Sequence, residues 1–138
     1  MIETLEALIA FLLTKSGVTA QVSTRIYGPP GLPQSYRGET AVLIVETPGE
    51  VSLTTRRIAP DVLVHCYGPT AVAARTVYRA VRDALHDAGP VDVTLASGTA
   101  RLLRAWQVST PEDLPEPATG WQRCVARFAT HWLDRTVT

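Results

Sequence analysis

The sequence predicts an α+β protein in which a mostly antiparallel β-sheet packs against two main helices as a two-layer sandwich. Two segments repeat apolar residues with the helical period of about 3.6 residues. Other segments alternate apolar and polar residues and follow one another through short Gly/Pro turns, which favours antiparallel hairpins. The length of 138 residues suits a single domain, which we expect to cover residues 1–138.

The first predicted helix covers residues 2–14 and stops at Ser16–Gly17, because Gly accepts the left-handed cap conformation. Residues 18–26 fit either a short helical turn or a strand. The apolar residues of the helix fall on one stripe that we expect to face the core. They are Ile2, Leu5, Leu8, Ile9, Leu12 and Leu13.

The next segment, residues 27–38, is predicted to be an arm without regular structure. It contains three prolines and three glycines, which interrupt helices and strands alike. A stiff segment of this kind fits two roles. It is either a surface crossover from the first helix to the sheet or an arm that reaches a neighbouring subunit.

A strand pair is predicted after the arm. Residues 40–47 form an apolar strand, and Pro48–Gly49 predicts the turn that ends it. Residues 61–67 alternate as an antiparallel partner strand, with Pro60 at a break, a bulge or an edge position. Residues 91–95 also alternate and predict a short strand.

The second predicted helix covers residues 71–88, begins after the N-cap Thr70 and ends at Gly89–Pro90. Arg79 and Asp83 are spaced for a pair one turn apart. The expected buried stripe is Ala73, Val77, Ala80 or Val81, Ala84 or Leu85, and Ala88. The exposed stripe is basic and comprises Arg75, Arg79, Arg82 and His86.

The last third of the chain predicts a long hairpin with strands at residues 100–108 and 121–133. The acidic loop between them (residues 109–120) contains three prolines, so we expect it to be mobile and to continue neither strand. Its acids are Glu112, Asp113 and Glu116. The loop is either a solvated connection or a knob that docks on a basic surface, such as the Arg stripe of a second copy.

Sequence motifs indicate no catalytic, cofactor-binding or metal-binding residues. His65, His86 and His131 lack partners at metal-ligand spacing, so His65 and His131 are interpreted as hydrogen-bonded structural residues. Cys66 and Cys124 lie in predicted strands and are interpreted as small buried hydrophobes. The 13 basic residues balance 13 acidic ones, which argues against a protein whose main task is to hold nucleic acid.

Other residues are candidates for contacts with partners. Trp121 directly follows the acidic loop and is the preferred interface anchor, because Trp is enriched at binding hot spots. Arg56 and Arg57 lie beyond the first hairpin and are either a second candidate contact or part of a solvated strand end. The apolar run of residues 7–13 is too short to span a bilayer, so no membrane partner is expected.

The order of these segments resembles the tail terminator, or tail completion and minor tail, proteins of long-tailed bacteriophages and gene-transfer-particle relatives. The resemblance rests on RIYG (residues 25–28) with prolines after it, and on APDVLVHCYGPT (residues 59–70) before the Ala- and Val-rich helix. It also rests on the closing hairpin, LLRAWQVSTPEDL and GWQRCVARFATHWL. It covers essentially the whole chain.

The resemblance implies a non-enzymatic virion protein at the head-proximal end of the tail, assembled in the host cytoplasm. Members form a ring, expected here to be a hexamer, on the last ring of the tail tube. The ring ends polymerisation and joins the head. The implied partners are therefore other copies, the major tail tube protein and a head-completion or neck protein, with DNA passing through without sequence-specific binding.

Three alternatives stay open from the sequence. The chain could be a head-completion or neck protein of the same virion. It could be a small dimeric α+β ligand-binding domain, which would show a defined apolar pocket with convergent polar groups. The third alternative is an enzyme with a cryptic site, although no titratable cluster favours it.

Overall fold

The computed structural model describes residues 3–52, 56–115 and 119–135, with side chains at positions 48–52 left out. Three helices and seven strands follow one another along these residues. In chain order they are α1 (Thr4–Leu13), α2 (Ser16–Val22), β1 (Ile26–Tyr27), β2 (Ala41–Ser52), β3 (Arg57–Gly68), α3 (Ala71–Leu85), β4 (Val91–Leu95), β5 (Gly98–Gln107), β6 (Glu112–Asp113) and β7 (Gln122–Asp134).

The strands form one sheet in the order β1-β2-β3-β7-β5-β4, and β6 pairs with β7 beyond the end of β5. The α+β class is confirmed, but the expectation of a mostly antiparallel sheet with two helices requires correction. The sheet is mixed, because β1 runs parallel to β2 whereas the other pairs are antiparallel.

The hydrophobic core lies between the three helices and one face of the sheet. Alternate residues of the strands point to this face, as the two-residue period of a strand requires. On β3 and β7 they include Val64, Cys66, Cys124 and Phe128, all fully buried. Helix α3 contacts β3, β7 and β5, while α1 contacts β4 at one end of the sheet and β1 and β2 at the other. The sheet therefore curls around its helices.

The N-terminal region contains two helices where the sequence predicted one helix and an ambiguous segment. The predicted stop at Ser16–Gly17 is wrong, because α1 ends at Leu13 and α2 begins at Ser16. The core face of α1 is also shifted from the predicted stripe, since Leu13 remains 39% exposed. Its buried residues are Thr4, Ala7, Leu8, Phe11 and Leu12. Ile2 lies outside the described residues.

Helix α3 begins as predicted, because the hydroxyl of Thr70 accepts a hydrogen bond of 3.1 Å from the amide of Ala73. The first turn of α3 differs from the predicted buried stripe, because Ala74 rather than Ala73 is fully buried. The tight connection requires Gly68, since a Cβ there would lie 2.7 Å from the amide nitrogen of Ala74. The remaining buried residues of the helix are Val77, Tyr78, Val81 and Leu85.

The first hairpin is longer than predicted. Pro48–Gly49 is not the terminal turn, because β2 continues to Ser52 after a bulge between Thr47 and Glu50. Pro60 of β3 lies opposite this bulge. Because proline has no backbone N–H to donate, it fits where the strand pairing is interrupted. The predicted irregularity at Pro60 is confirmed. The carbonyl of Pro60 accepts a hydrogen bond from the buried hydroxyl of Thr130.

The arm folds back onto the sheet of its own chain. Tyr36 is 2% exposed and packs edge-on against Tyr67 and Trp121, with ring centroids 5.8 and 4.7 Å away. Trp121 in turn lies over Gly38, whose φ of +86° and missing Cβ permit this approach. This small aromatic cluster lies on the sheet face opposite the helices, called the open face below, and favours the interpretation of the arm as a crossover.

We predict that Gly68→Ala destabilises the protein by about 1–3 kcal/mol, because the new methyl group forces α3 away from the end of β3. Gly17→Ala is the matched control. Nothing lies within 4 Å of its Cβ position, so the substitution should stabilise α2 by up to about 1 kcal/mol. Urea unfolding of both variants measures the difference. Equal stabilities would show that the β3–α3 connection yields without cost.

Candidate assembly surfaces

The acidic loop is held against the sheet, contrary to the expectation that it is mobile and continues neither strand. Its residues Glu112–Asp113 form β6 and pair with Cys124 and Val125 of β7. The amide of Leu114 donates to the carbonyl of Arg123 at 2.9 Å. Glu116 lies outside the described residues. Because β7 is longer than its partner β5, it leaves a free edge that β6 fills.

An ion pair ties β6 to α3. The guanidinium of Arg75 donates from Nε and Nη2 to the two carboxylate oxygens of Asp113, at 2.9 and 3.1 Å. This fork geometry suits arginine better than lysine. The hydrogen bonds to Asp113 also raise the pKa of Arg75 above its usual value. The basic helix and the acidic loop, predicted as surfaces that could meet between copies, thus meet within one chain at this pair.

The other two arginines of the Arg stripe differ in their contacts within the chain. Asp83 pairs with its neighbour Arg82 at 3.3 Å rather than with Arg79, so the predicted Arg79–Asp83 pair is wrong. Arg82 also lies 5.8 Å from the ring centroid of Tyr78. Arg79 is exposed and makes no ion pair within the described part of the chain.

An apolar residue that the sequence analysis missed stands at the start of the same helix face. Val72 is 75% exposed, the largest value among the exposed large hydrophobic residues of the described chain. Its spacing to Arg75 and Arg79 is the signal that could have identified it, because residues three and seven apart share a helix face. The outer face of α3 therefore combines one apolar contact with several guanidinium groups.

The open face carries the other predicted contact residues. Arg57 is exposed and lies opposite Leu133, whereas Trp121 directly precedes the far end of β7. Most of the length of β7 separates these positions, roughly 35 Å, so the structure does not bring them together. Trp121 is half-buried in the aromatic cluster. Arg56 is exposed in a turn at a φ of +56°.

A depression of about 540 Å³ lies on the open face beside the start of the acidic loop. Leu63, Val108 and Val125 supply apolar walls, and Glu112 and Arg127 supply opposite charges. The charged groups lie on different strands and make no ion pair with each other among the described contacts. Its open shape and mixed polar and apolar lining differ from the defined apolar pocket that the ligand-binding alternative predicts.

The two cysteines face each other in the core. Cys66 and Cys124 lie directly opposite each other on β3 and β7, and both are fully buried and unbridged. Burial raises the pKa of the Cys66 thiol well above its usual value and that of Cys124 to about 11. A thiol in this state is a poor nucleophile. Their interpretation as small buried hydrophobes is confirmed.

The histidines differ from the sequence prediction in their contacts. Nδ1 of His65 is buried and has no hydrogen-bond partner among the described residues. His131 is exposed and packs against Trp106 with ring centroids 5.0 Å apart. His86 is exposed, with Nε2 3.4 Å from the carboxylate of Asp87. Among the described residues, no group of three or more His, Cys, Asp or Glu side chains is placed to hold a metal ion.

No single helix in the described ranges is long and apolar enough to cross a bilayer. Helices α1 and α2 reach that length only together, across a break that bends the pair by 88°.

Comparison with known proteins then identifies the family. The profile of the tail completion protein gp17 family matches residues 6–132. The chain belongs to this family. It is therefore a structural component of a phage tail, and its family is not an enzyme family. The predicted resemblance to tail completion proteins is confirmed.

A solved structure shares the fold. The chain is similar to a protein from the virion of a native gene transfer agent particle, with a TM-score of 0.65 and 22% sequence identity over 92% of both chains. At this identity the likeness establishes the fold alone. No curated protein matches the sequence.

We predict that Asp113→Ala releases β6 from α3 without unfolding the protein, because an exposed ion pair contributes little to global stability. Hydrogen exchange should show faster exchange at the amide of Leu114, while amides of β3 keep their protection. Glu112→Ala is the control, since Glu112 lies on the opposite side of β6 and makes no ion pair in the described structure. Unchanged exchange at Leu114 would show that the Arg75–Asp113 pair does not hold β6.

We also predict that His65 titrates below about 6.5, the usual pKa of histidine. Burial lowers the pKa of His65, and the nearby positive charge of Arg123 lowers it further. The folded state then binds fewer protons than the unfolded chain, so this contribution to stability is complete above a pH of about 6.5 and falls as the pH drops towards the folded pKa. NMR titration of the folded protein, with the urea-denatured chain as reference, measures the shift. A folded pKa equal to or above the reference would contradict the prediction.

Proposed function

We propose that this protein caps the tail tube as a ring, ends tube polymerisation and forms the surface that joins the head. The observation that carries this proposal is the family match over residues 6–132. In the proposed arrangement six copies form the ring, the tube protein contacts one side, and a head-completion or neck protein contacts the other. DNA passes through without sequence-specific contacts, which is compatible with balanced totals of 13 basic and 13 acidic residues.

A closed ring needs two different, complementary surfaces on each copy, because its contacts are head-to-tail. The chain offers such different surfaces. The outer face of α3 presents Val72 and Arg79 to solvent. The open face presents the arm, the acidic loop and Trp121 on the other side of the sheet. In this proposal the two surfaces contact the neighbouring copies, the tube protein and the head protein.

The acidic loop has a defined part in the proposal. Asp113 holds β6 to α3 within the chain, whereas Glu112 lies on the other side of β6 and is exposed. Glu112 is therefore the acid of β6 that remains available for a partner, and we assign Glu116 of the same loop to the same partner contact. Arg56 and Arg57, at the far end of β3, face a separate partner or the channel.

We predict that tails assembled without this protein are irregular in length and do not join heads. If a ring blocks the tube end, its loss permits further polymerisation, so electron microscopy should show a broad length distribution. Supplying the wild-type protein should restore uniform tails, and Gly17→Ala should restore them equally because it changes no exposed charge.

The outcomes separate the alternatives. Uniform tails that join heads normally without the protein would refute the proposed function. Uniform tails that accumulate beside unjoined heads would instead support the head-completion or neck function. Binding of the protein to the ends of purified tails, seen as an added ring, would support the proposed function directly.

A further inference from the structure

Helices α1 and α3 each carry an exposed stripe of side chains, and the two stripes are opposite in charge. On α1 and its N-cap, Glu3, Glu6 and Leu13 are exposed, and their spacing places them on one side of the helix. Leu13 is 39% exposed although it is a large apolar residue. Neither carboxylate takes part in an ion pair among the described residues. The outer side of α1 is thus acidic at one end and apolar at the other.

The outer side of α3 has the reverse character. Val72 stands at the start of the helix, and Arg79 and Arg82 follow on the same face. Arg79 makes no ion pair within the described ranges, and the Arg82–Asp83 contact joins adjacent, exposed side chains at 3.3 Å. The stripe is therefore apolar at its N-terminal end and basic further along.

The two stripes have the same spacing in opposite directions. The step from Leu13 back to Glu6 equals the step from Val72 forward to Arg79, about 10 Å along each helix. The longer steps, to Glu3 on α1 and to Arg82 on α3, are also equal, about 15 Å. Antiparallel helices in this register place the apolar residues together and each carboxylate against a guanidinium.

We propose that α1 of one copy packs antiparallel against α3 of a second copy, with Leu13 on Val72, Glu6 on Arg79 and Glu3 on Arg82. The proposal rests on the ring function above and specifies one of its copy-to-copy contacts. Each copy presents one α1 stripe and one α3 stripe, so the contact is head-to-tail and can close into a ring.

The intrachain contacts explain why α1, rather than the acidic loop, is the partner of α3. Asp113 is already bound through both oxygens by Arg75 of its own chain. In the proposed register Arg75 faces Ala10, a small residue that leaves space for the Arg75–Asp113 pair. The acids left for Arg79 and Arg82 are then those of another surface, and the two carboxylates of the α1 stripe match their spacing.

Charge reversal tests the contact. Glu6→Arg and Arg79→Glu should each weaken copy-to-copy association at least about tenfold, equivalent to about 1.4 kcal/mol, because each places two like charges together. A mixture of the two variants should assemble again. In the mixture, the guanidinium introduced at position 6 of one variant meets the carboxylate introduced at position 79 of the other, and the native Glu6 and Arg79 meet at the next contact.

The assembly is measured as added rings on tails purified from particles that lack the protein, and by light scattering of the protein alone. Ala20→Arg is the control, since Ala20 is exposed on α2, outside both helix stripes and outside the open face. It should assemble like the wild type. Circular dichroism and melting temperature establish that each variant is folded.

Disulfide trapping supplies an independent readout. Leu13→Cys mixed with Val72→Cys should give a cross-linked pair on mild oxidation in the presence of tails, while either variant alone should not. The native cysteines do not interfere because both are buried. Folded single variants that assemble normally, or a mixture of charge variants that stays dissociated, would overturn this contact while leaving the ring function intact. A wild-type protein that never adds to tails would overturn both.

Discussion

The pairing of β3 with β7 is the interaction on which the rest of the structure depends. The two strands pair from Arg57 with Leu133 to Gly68 with Gln122, although α3, β4, β5 and β6 lie between them along the chain. Helix α3 packs over this pair, β2 and β5 join its two outer sides, and β6 has no sheet partner except β7 among the described strands. Closing such a long loop costs conformational entropy, and the apolar residues buried beneath α3 offset that cost.

The length of β7 determines where the acidic loop lies. Strand β5 occupies one part of the outer edge of β7, from Phe128 onwards, and leaves the part near Cys124 without a partner. Unpaired strand edges invite association with other chains. Strand β6 (Glu112–Asp113) pairs with this edge of β7, and Arg75 of α3 holds β6 in place through Asp113. The described part of the acidic loop is therefore held by contacts within its own chain, independently of any assembly contact.

The sequence predicted the elements whose signals are local. Thr70 as an N-cap, the helix that follows it and the last hairpin all depend on residues close in the chain. The misplaced features depend on distant contacts. Pro48–Gly49 resembles a turn but lies in a bulge, because the opposite strand with Pro60 extends past it. The two residues of β6 form a strand only because β7 is there, and no local propensity reveals that pairing.

The same distinction applies to the surface of α3, where the sequence predicted one uniform basic stripe. In the folded chain the arginines of this stripe differ in their ion pairs. Arg75 is the member that reaches β6, and its bidentate bond pairs it with Asp113 of its own chain. A loop from another copy approaching Arg75 would have to displace this pair, whereas an acid arriving at Arg79 displaces no ion pair of the described chain. The intrachain ion pair thus restricts what α3 can bind, and it favours a helix with a small residue opposite Arg75 over another acidic loop.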